Sequence, residues 1–449
     1  MTSIMKQKAF VMFYLLIGMF IGALCFFMSP LKAVAVIALL GVIGLTFIRF
    51  EAGLCVFLFG MSIVPHMYWN NLYSVLAAVF YLIMYFVNCA LKRKKISITS
   101  VDFFFVLFAL AVVIAAMTSI VPADSFRIFL FFAASLLFSF ILASSINSKK
   151  SLNLVLFTVY LAVAATSLYA IYQGIVGVEV DPTLTDVEVN KGMPGRVYST
   201  MGNPNNYAEY LILLLPLCAA YVMNIEGKSK KLLFSFGLVL PVIALAITYS
   251  RSGWVAFVLA VFVVLFFIDW KLIPIAFVLS LIAVPFLPET IINRAMTIGN
   301  LQDSSNAYRI YIWEGVLNML KDYWATGIGL GPAPFSRIYA NYARPEATIA
   351  PHSHMLYLEI WVEMGIVAIV SFLWYLVRMV KKSIQNMKKS EDHYFRNIFI
   401  ASIASITGIS FICIAEYVWF YPRTMLVFWI TLGIIMSAIK LASSKGENV

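Results

Sequence analysis

Charged residues are scarce in this sequence, and their scarcity excludes a soluble domain. Asp, Glu, Lys and Arg make up 12% of the chain, whereas soluble globular domains carry roughly 25%. Hydrophobic residues make up 62%, and the mean hydropathy is +0.93. This composition predicts an all-α polytopic membrane protein, because apolar runs of about 20 residues cross a bilayer as helices.

Motifs that would mark other chemistries are also missing. The five cysteines lie in apolar runs without Cys-x-x-Cys spacing, which predicts inert core side chains rather than ligands or disulfides. The glycine-rich stretch 327–332 lacks the Gly-Lys-Ser/Thr ending of a phosphate loop, so we predict close backbone approach there and no nucleotide site. Residues 1–26 lack a small-residue cleavage site, which favours a first span over a removed signal peptide.

Fourteen apolar segments are candidates for membrane spans. One is short and two pairs are tightly joined, so we expect about 12–14 transmembrane helices. The segments are 9–28, 31–48, 52–65, 72–90, 101–121, 126–146, 152–176, 207–223, 232–249, 252–268, 271–288, 355–380, 396–417 and 424–441.

The short basic connections predict the orientation, because cytoplasmic loops of membrane proteins collect Lys and Arg. Runs such as 92–95 and 381–389 fall on one side together with both termini. We therefore expect a multi-pass protein of the cytoplasmic (inner) membrane with cytoplasmic termini, and the net charge of +11 needs no nucleic acid. The predicted parts are an N-terminal transmembrane bundle (1–288), an extracytoplasmic loop (289–354) and C-terminal transmembrane helices (355–449).

Arginine and lysine divide unequally between the two predicted sides. The outer side has three lysines and eight arginines, and the cytoplasmic side has the remaining lysines and four arginines. Arginine is preferred where a planar fork holds a phosphate or carboxylate by two hydrogen bonds. The bias favours an outward-facing anion site, with pairing to Asp or Glu in the same loops as the alternative. The eight are Arg127, Arg196, Arg251, Arg294, Arg309, Arg337, Arg344 and Arg423.

A polar turn and an acidic residue mark the start of the predicted span 207–223. Gly202-Asn203-Pro204-Asn205 is a turn that cannot continue a helix, and Asn203 or Asn205 can cap the span that follows. Such a helix start attracts anions, although a plain cap is the alternative. Glu209 lies in the first turns of that span, where an ionisable residue is a functional candidate or an ion-pair partner.

Arg251 lies between two apolar runs with no other charge nearby. A charge placed there without a partner is costly, so we expect it to bind a carboxylate or an anion. In the large loop, residues 305–320 predict an amphipathic helix whose apolar face is Ile310, Trp313, Leu317 and Leu320, with Arg309 in its first turn.

Two of the four histidines, His352 and His354, lie where the large loop meets the next span. Pro351 suits the first turn of that helix. Histidine is the side chain best suited to accept a proton near neutral pH. Solvated interfacial histidines are the alternative, and a metal site lacks a clear third ligand.

Three separated motifs resemble those of the O-antigen ligase/polymerase superfamily of bacterial integral-membrane glycosyltransferases. Residues 202–205 are similar to its Gly-Asn-Pro-Asn element, and residues 250–251 to its Ser-Arg element. Residues 354–365 are similar to its His-Asn-x-Tyr-Leu…Glu-x-Gly element, except that Met355 replaces the usual Asn. A hydrogen bond from that Asn is then absent or is supplied by Ser353 or His352.

The resemblance implies a GT-C-like transferase with a large, partly helical outer loop. The donor would be an oligosaccharide on undecaprenyl diphosphate, and the acceptor a hydroxyl on a glycan, a lipid or a protein. His354 would remove the proton of the acceptor hydroxyl, which attacks the anomeric carbon with inversion, while Arg251 and Arg309 stabilise the leaving diphosphate. The implied substrate-binding residues are Arg196, Asn203, Asn205, Glu209, His352 and Glu363.

The resemblance implies no cofactor, because the diphosphate is already activated, and the sequence has no Asp-x-Asp, which agrees with transfer without a metal. The alternative is a flippase for the same lipid-linked sugars. A transporter predicts ionisable residues along a path through the bilayer midplane. Here they gather at outer span boundaries, which favours a reaction at the surface. The sequence does not separate a polymerase from a ligase.

Overall fold

Helices form nearly all of the regular structure in a computed structural model that describes residues 29–91, 102–181, 192–299 and 304–446. No strand occurs in these ranges, which confirms the all-α prediction. The predicted first span (9–28) and the basic run 92–95 lie outside the described residues. The helices are α1 (Pro30–Ile48), α2 (Phe50–Ile63), α3 (Leu72–Leu91), α4 (Phe103–Met117), α5 (Pro122–Ser145), α6 (Lys149–Val176), α7 (Pro204–Met223), α8 (Lys228–Gly237), α9 (Val239–Ile247), α10 (Arg251–Asp269), α11 (Leu272–Ala283), α12 (Glu289–Met296), α13 (Ser304–Tyr323), α14 (Pro332–Tyr339), α15 (Leu356–Lys389), α16 (His393–Ala415) and α17 (Pro422–Gly446).

Within the described ranges, 9 helices are long and apolar enough to cross a membrane, with α8 and α9 counted as one. A bent pair formed by Leu272–Phe286 and Glu289–Met296, with an angle of 119° between its halves, would make 10. Parts of α1, α2 and α4 are apolar but shorter. The chain is thus a polytopic membrane protein, and the count of 12–14 spans stays a prediction.

Helix starts coincide with residues that satisfy free backbone N–H groups or fix the first turn. The Asn203 side chain accepts hydrogen bonds from the backbone N–H groups of Asn205 (2.8 Å) and Asn206 (3.4 Å). Asp102 caps α4 in the same way. Proline stands in the first turn of α5, α7 and α14, where its missing N–H costs nothing.

The connections between the long helices gather at two opposite ends of the bundle. At one, Lys149 pairs with Asp392, and Asp102 pairs with Arg378 (2.9 Å) and Lys382 (3.1 Å). We call this the lysine end.

The loops around Ser62, Thr200 and Arg423 meet at the other end, where Thr200 Oγ1 donates to Ser62 O (2.6 Å) and Arg423 Nη1 to Thr200 O (3.0 Å). We call this the arginine end. The large loop from Glu289 to Met355 joins it, since Arg309 Nη2 donates to Oε1 of Glu416 (2.7 Å), in the connection before Arg423.

The large loop has a small hydrophobic core of its own, built on α13. Of the predicted apolar face of this helix, Leu320 is buried, Ile310 and Trp313 are only partly buried, and Leu317 is exposed. The buried row is Ile312, Val316, Met319 and Leu320, whereas Leu317 is 51% exposed. The helix has apolar residues on two faces. The face with Ile312, Val316 and Met319 is buried because it packs against Phe335 of α14 and Val362 of α15.

The start of α15 also differs from the prediction. The helix begins at Leu356 with Met355 as its N-cap residue, and Pro351 lies in the turn before it. The hydroxyl of Ser353 holds that turn, because it accepts from Met355 N (3.2 Å) and donates to Met355 O (2.9 Å). The side chain of Ser353, which lies before the helix, therefore fixes the backbone of the N-cap residue Met355.

Candidate functional site

The two histidines form a tight turn at the arginine end. His354 has φ of +55°, a left-handed conformation that is uncommon for residues other than glycine. Its backbone N–H donates to Nδ1 of His352 (3.1 Å), and the two rings lie 4.1 Å apart. The backbone N–H of Ser353 donates to Oε2 of Glu359 (2.6 Å). The surrounding contacts hold a conformation that the backbone alone disfavours.

Burial keeps the ring of His354 neutral at physiological pH. Burial lowers its pKa to about 4, the carboxylate of Glu416 opposes this shift, and the guanidinium of Arg309 adds to it. Nδ1 of His354 is buried and has no hydrogen-bond partner among the described residues. A neutral imidazole with a nitrogen that no protein group uses is suited to accept a proton.

His352 is the more deeply buried of the pair, with 8% of its surface exposed. Burial is the main cause that lowers its pKa to about 2, with smaller contributions from His354 and Arg309. Its ring packs against Phe420, with 4.3 Å between the ring centroids. Since Nδ1 already accepts a hydrogen bond from His354, His352 supports the turn.

Glu416, in the connection between α16 and α17, links three distant segments. Its Oε1 accepts from Nη2 of Arg309 (2.7 Å) and from Nδ2 of Asn205 (2.9 Å). Oδ1 of Asn205 accepts from Nη2 of Arg196 (2.5 Å). The backbone carbonyl of Glu416 accepts from Leu356 N (3.2 Å), at the start of α15. One carboxylate thus joins the large loop, the Asn-Pro-Asn turn and the helix that follows the histidines.

Arg196 shows that the arginines share one electrostatic environment. It is 7% exposed, and its Nε donates to Thr248 O (2.9 Å). Burial lowers its pKa to about 9, with Arg294, Arg251 and Arg309 adding to the effect and Glu416 opposing it. Four guanidinium groups this close together, opposed by one carboxylate, make this part of the arginine end cationic.

Arg251 begins α10 and binds the start of the large loop. Its Nη1 lies 3.1 Å from both O and Oγ1 of Thr297, and its Nη2 lies 3.3 Å from Oδ1 of Asn306. Nε of Arg294 donates to Tyr249 O (3.3 Å), two residues before Arg251. These bonds fix the arginines relative to α13, where Arg309 lies in the second turn and not in the predicted first turn.

A second polar cluster lies beside the histidine turn. Glu359 and Glu363 are fully buried on α15. Oε1 of Glu363 accepts from Gly331 N (2.7 Å), and Tyr417 OH lies 3.5 Å from its Oε2. The histidine turn therefore binds Glu359 through Ser353 N, and the glycine-rich loop binds the neighbouring carboxylate of Glu363 through Gly331 N.

The structure brings together most of the sequence-predicted site residues. Arg196, Asn205, Arg251, Arg309, His352 and His354 lie at the arginine end, connected by the bonds and charge effects above. The other three take different positions: Asn203 uses its oxygen to cap α7, Glu363 binds the glycine-rich loop, and Glu209 is buried in α7 with no hydrogen-bond partner for Oε2 among the described residues.

Sequence reasoning did not select Glu416 or Arg294 as site residues. Glu416 had a signal like that of Arg251, an ionisable residue at the end of an apolar run at the predicted outer boundary. Arg294 stood only among the outer arginines, since nothing in its immediate sequence distinguishes it.

Part of the chain matches a known family profile. Residues 236–373 match the profile described as O-antigen ligase. The match includes Arg251, Arg309 and His354, and the Asn-Pro-Asn turn lies before its start. A search of the curated proteins finds no match to the chain.

Proposed function

We propose that this chain, a member of the O-antigen ligase/polymerase superfamily, transfers a glycan from undecaprenyl diphosphate to an acceptor hydroxyl. The reaction takes place at the outer face of the cytoplasmic membrane and needs neither a metal nor a cofactor. The acceptor is a hydroxyl of a glycan, a lipid or a protein.

One observation carries the proposal: a neutral, buried imidazole lies within the electrostatic influence of Arg309 and Glu416, beside a group of four arginines. Arginine binds phosphate oxygens through its planar fork, and a cationic site stabilises the charge that grows on a leaving diphosphate. A base and an anion site at one end of a membrane bundle are the two groups that this transfer requires.

The reaction follows from these two groups. The acceptor oxygen attacks the anomeric carbon, its proton moves to His354, and the bond from that carbon to the diphosphate oxygen breaks. The electron pair of that bond stays with the diphosphate, which Arg251 and Arg309 hold, and the anomeric configuration inverts. Glu416 favours the imidazolium that forms on His354, as a carboxylate does in other base-assisted sites.

The decisive experiment compares variants in cells that lack the chromosomal copy of this protein. His354→Ala should abolish polymer transfer at equal membrane expression, because Nδ1 of His352, the other neutral imidazole of the turn, already accepts a hydrogen bond from the backbone. His393→Ala is the matched control, since His393 is exposed at the lysine end. Full transfer by the His354 variant would refute the role of that residue.

The arginines are tested by a substitution that keeps the charge and removes the fork. Arg251→Lys and Arg309→Lys should each reduce transfer by about 10-fold or more, whereas Arg337→Lys in the same loop, at an exposed position, should not. Normal transfer in both site variants would assign these arginines to structural pairing alone.

Lipid-linked intermediates in the deletion strain identify the reaction class. Single repeat units that accumulate at the outer face indicate a polymerase, and long chains that remain on the lipid indicate a ligase. Units that remain at the inner face would indicate a flippase and would refute the transferase proposal.

A further inference from the structure

A separate pocket lies at the arginine end, away from the histidine turn. It has a volume of about 650 Å³ and lies between the connection that joins α2 to α3 and the first turns of α5. Known small-molecule sites have volumes of about 300–1,000 Å³. Its lining includes the polar and aromatic side chains of Tyr68, Trp69, Asn70, Asn71, Tyr73 and Arg127, with Phe131 and three aliphatic residues beside them.

The lining has the chemistry of a carbohydrate site. Aromatic rings have electron-rich faces, which attract the weakly positive C–H groups on one face of a sugar ring. Amide and guanidinium groups bind hydroxyls in directed pairs. Tyr68 is 70% exposed and Tyr73 is 49% exposed, so two rings are open to a ligand.

Two further observations distinguish the pocket from an ordinary belt of interfacial aromatics. Nε1 of Trp69 is buried and has no hydrogen-bond partner among the described residues. Arg127 is exposed and forms no ion pair within the described part of the chain. A lipid-facing belt requires aromatic rings but gives no reason for adjacent amides and a guanidinium.

Arg423 links the pocket to the segment that contains Arg196 and Asn205. The guanidinium of Arg423 lies 4.9 Å from the ring of Trp69 and donates to Thr200 O (3.0 Å). The ring of His66, in the same connection as Tyr68, lies 5.7 Å from that of Tyr198. Arg423 therefore connects Trp69 of the pocket to Thr200, which belongs to the same segment 196–205 as Arg196 and Asn205.

We propose that this pocket is a subsite for sugar residues of the donor glycan that lie beyond the reacting sugar. The inference rests on the proposed function, since only one donor sugar can occupy the reaction centre and the rest of the chain must lie along the outer surface. The link through Arg423 joins the pocket to the segment of Arg196 and Asn205, on the proposed phosphate side, which assigns the pocket to the donor and not to the acceptor.

The test measures transfer kinetics of the full-length protein in lipid nanodiscs with two donors. One is undecaprenyl diphosphate bearing the complete repeat unit from the host cells, and the other bears the first sugar only. For Tyr68→Ala, Asn71→Ala and Arg127→Ala, KM for the complete donor should rise about five- to tenfold with kcat retained. KM for the one-sugar donor should change less than twofold.

Phe126→Ala is the matched control, because this exposed aromatic precedes Arg127 and does not line the pocket. It should leave both KM values unchanged, and Tyr68→Phe should restore the normal KM, because the ring is retained. Equal KM changes with both donors, no change with either, or a change that depends on acceptor length would each refute the donor subsite. His354→Ala is the inactive reference, and wild-type protein that transfers neither donor would instead refute the proposed function.

Discussion

His354 combines two features that are each unfavourable in free energy: a left-handed backbone conformation and a buried titratable ring. Strained residues persist where surrounding contacts over-determine them, and they cluster at functional sites. The bonds from His352 and Glu359 supply those contacts here. The contacts that hold the strained turn also bury the ring. Burial keeps the ring neutral, so it remains available as a proton acceptor.

We predict that the rate of transfer falls on the acid side only at an unusually low pH. With the pKa of His354 lowered to about 4, kcat/KM should hold between pH 7 and pH 5 and fall only as the pH approaches 4, because kcat/KM reports the free enzyme. Initial rates from pH 4 to pH 8 check this. An acid limb centred near 6.5, in protein that remains folded, would contradict the assignment.

Glu416 has two roles that a single substitution can separate. Glu416→Gln keeps the hydrogen bond to Arg309 and removes the negative charge, so the imidazolium of His354 loses its stabilising field. We expect kcat to fall by about 10- to 100-fold, within the usual contribution of acid–base assistance, with the donor KM little changed. Glu314→Gln is the control, since Glu314 pairs with Arg344 on the exposed side of the loop. Unchanged kcat in the Glu416 variant would leave this carboxylate with a structural role only.

His352 makes stability depend on pH. Its pKa is about 2 in the folded protein and ordinarily 6.5, so between these values the unfolded chain binds the proton and the folded chain does not. The stability associated with the neutral ring is therefore present above pH 6.5 and is lost as the pH falls. Between pH 7.5 and pH 5 the loss is about 2 kcal/mol.

Thermal unfolding in detergent at these two pH values checks the effect. His352→Gln should show a smaller drop in the unfolding midpoint than the wild type, and His393→Gln should show the wild-type drop. Identical drops in all three proteins would show that His352 does not control the pH dependence.

At the scale of elements, a break in α15 forms the support of the histidine turn. Gly365 has φ of +80°, so the helix is interrupted and the carbonyls of Val362 and Glu363 are available to other partners. They accept from Ile328 N (2.9 Å) and Gly329 N (3.0 Å). The backbone of the glycine-rich loop thus supplies the hydrogen bonds that the interrupted helix lacks. This contact with α15 is the close backbone approach that the glycines predict.

We predict that Gly365→Ala destabilises the protein by more than about 2 kcal/mol. A Cβ at this position would lie 2.1 Å from the carbonyl oxygen of Ala325, in a backbone conformation that alanine rarely adopts. Gly60→Ala is the control, because a Cβ there would have no atom within 4 Å and alanine favours helices. Unfolding midpoints in detergent compare the two, and equal midpoints would contradict the strain argument.

At the scale of the whole molecule, the separation of polar groups into two ends gives the bundle a direction. The lysine end has ion pairs such as Lys149–Asp392, and the arginine end has the candidate site. Applied to these ends, the preference for lysine and arginine in cytoplasmic loops predicts that the lysine end faces the cytoplasm. The division at residues 288 and 354 stays a prediction, and the bond of Arg251 to Thr297 crosses the first of these boundaries.

We predict that the arginine end faces outward. A cysteine at the exposed position 346, in a cysteine-free background, should react with a membrane-impermeant maleimide in intact cells. A cysteine at the exposed position 230 should react only after lysis. The reverse pattern would overturn the orientation and, with it, a reaction at the outer surface.

The sequence by itself determined the helical membrane fold, the separation of basic residues and the superfamily resemblance. These properties depend on hydropathy, local turns and short motifs, all of which can be read along the chain. The tertiary structure decided which apolar row of α13 is buried and which carboxylate joins the site. Glu416 meets Arg309 across 107 residues and Asn205 across 211, and such pairings depend on how helices pack, which no local pattern specifies.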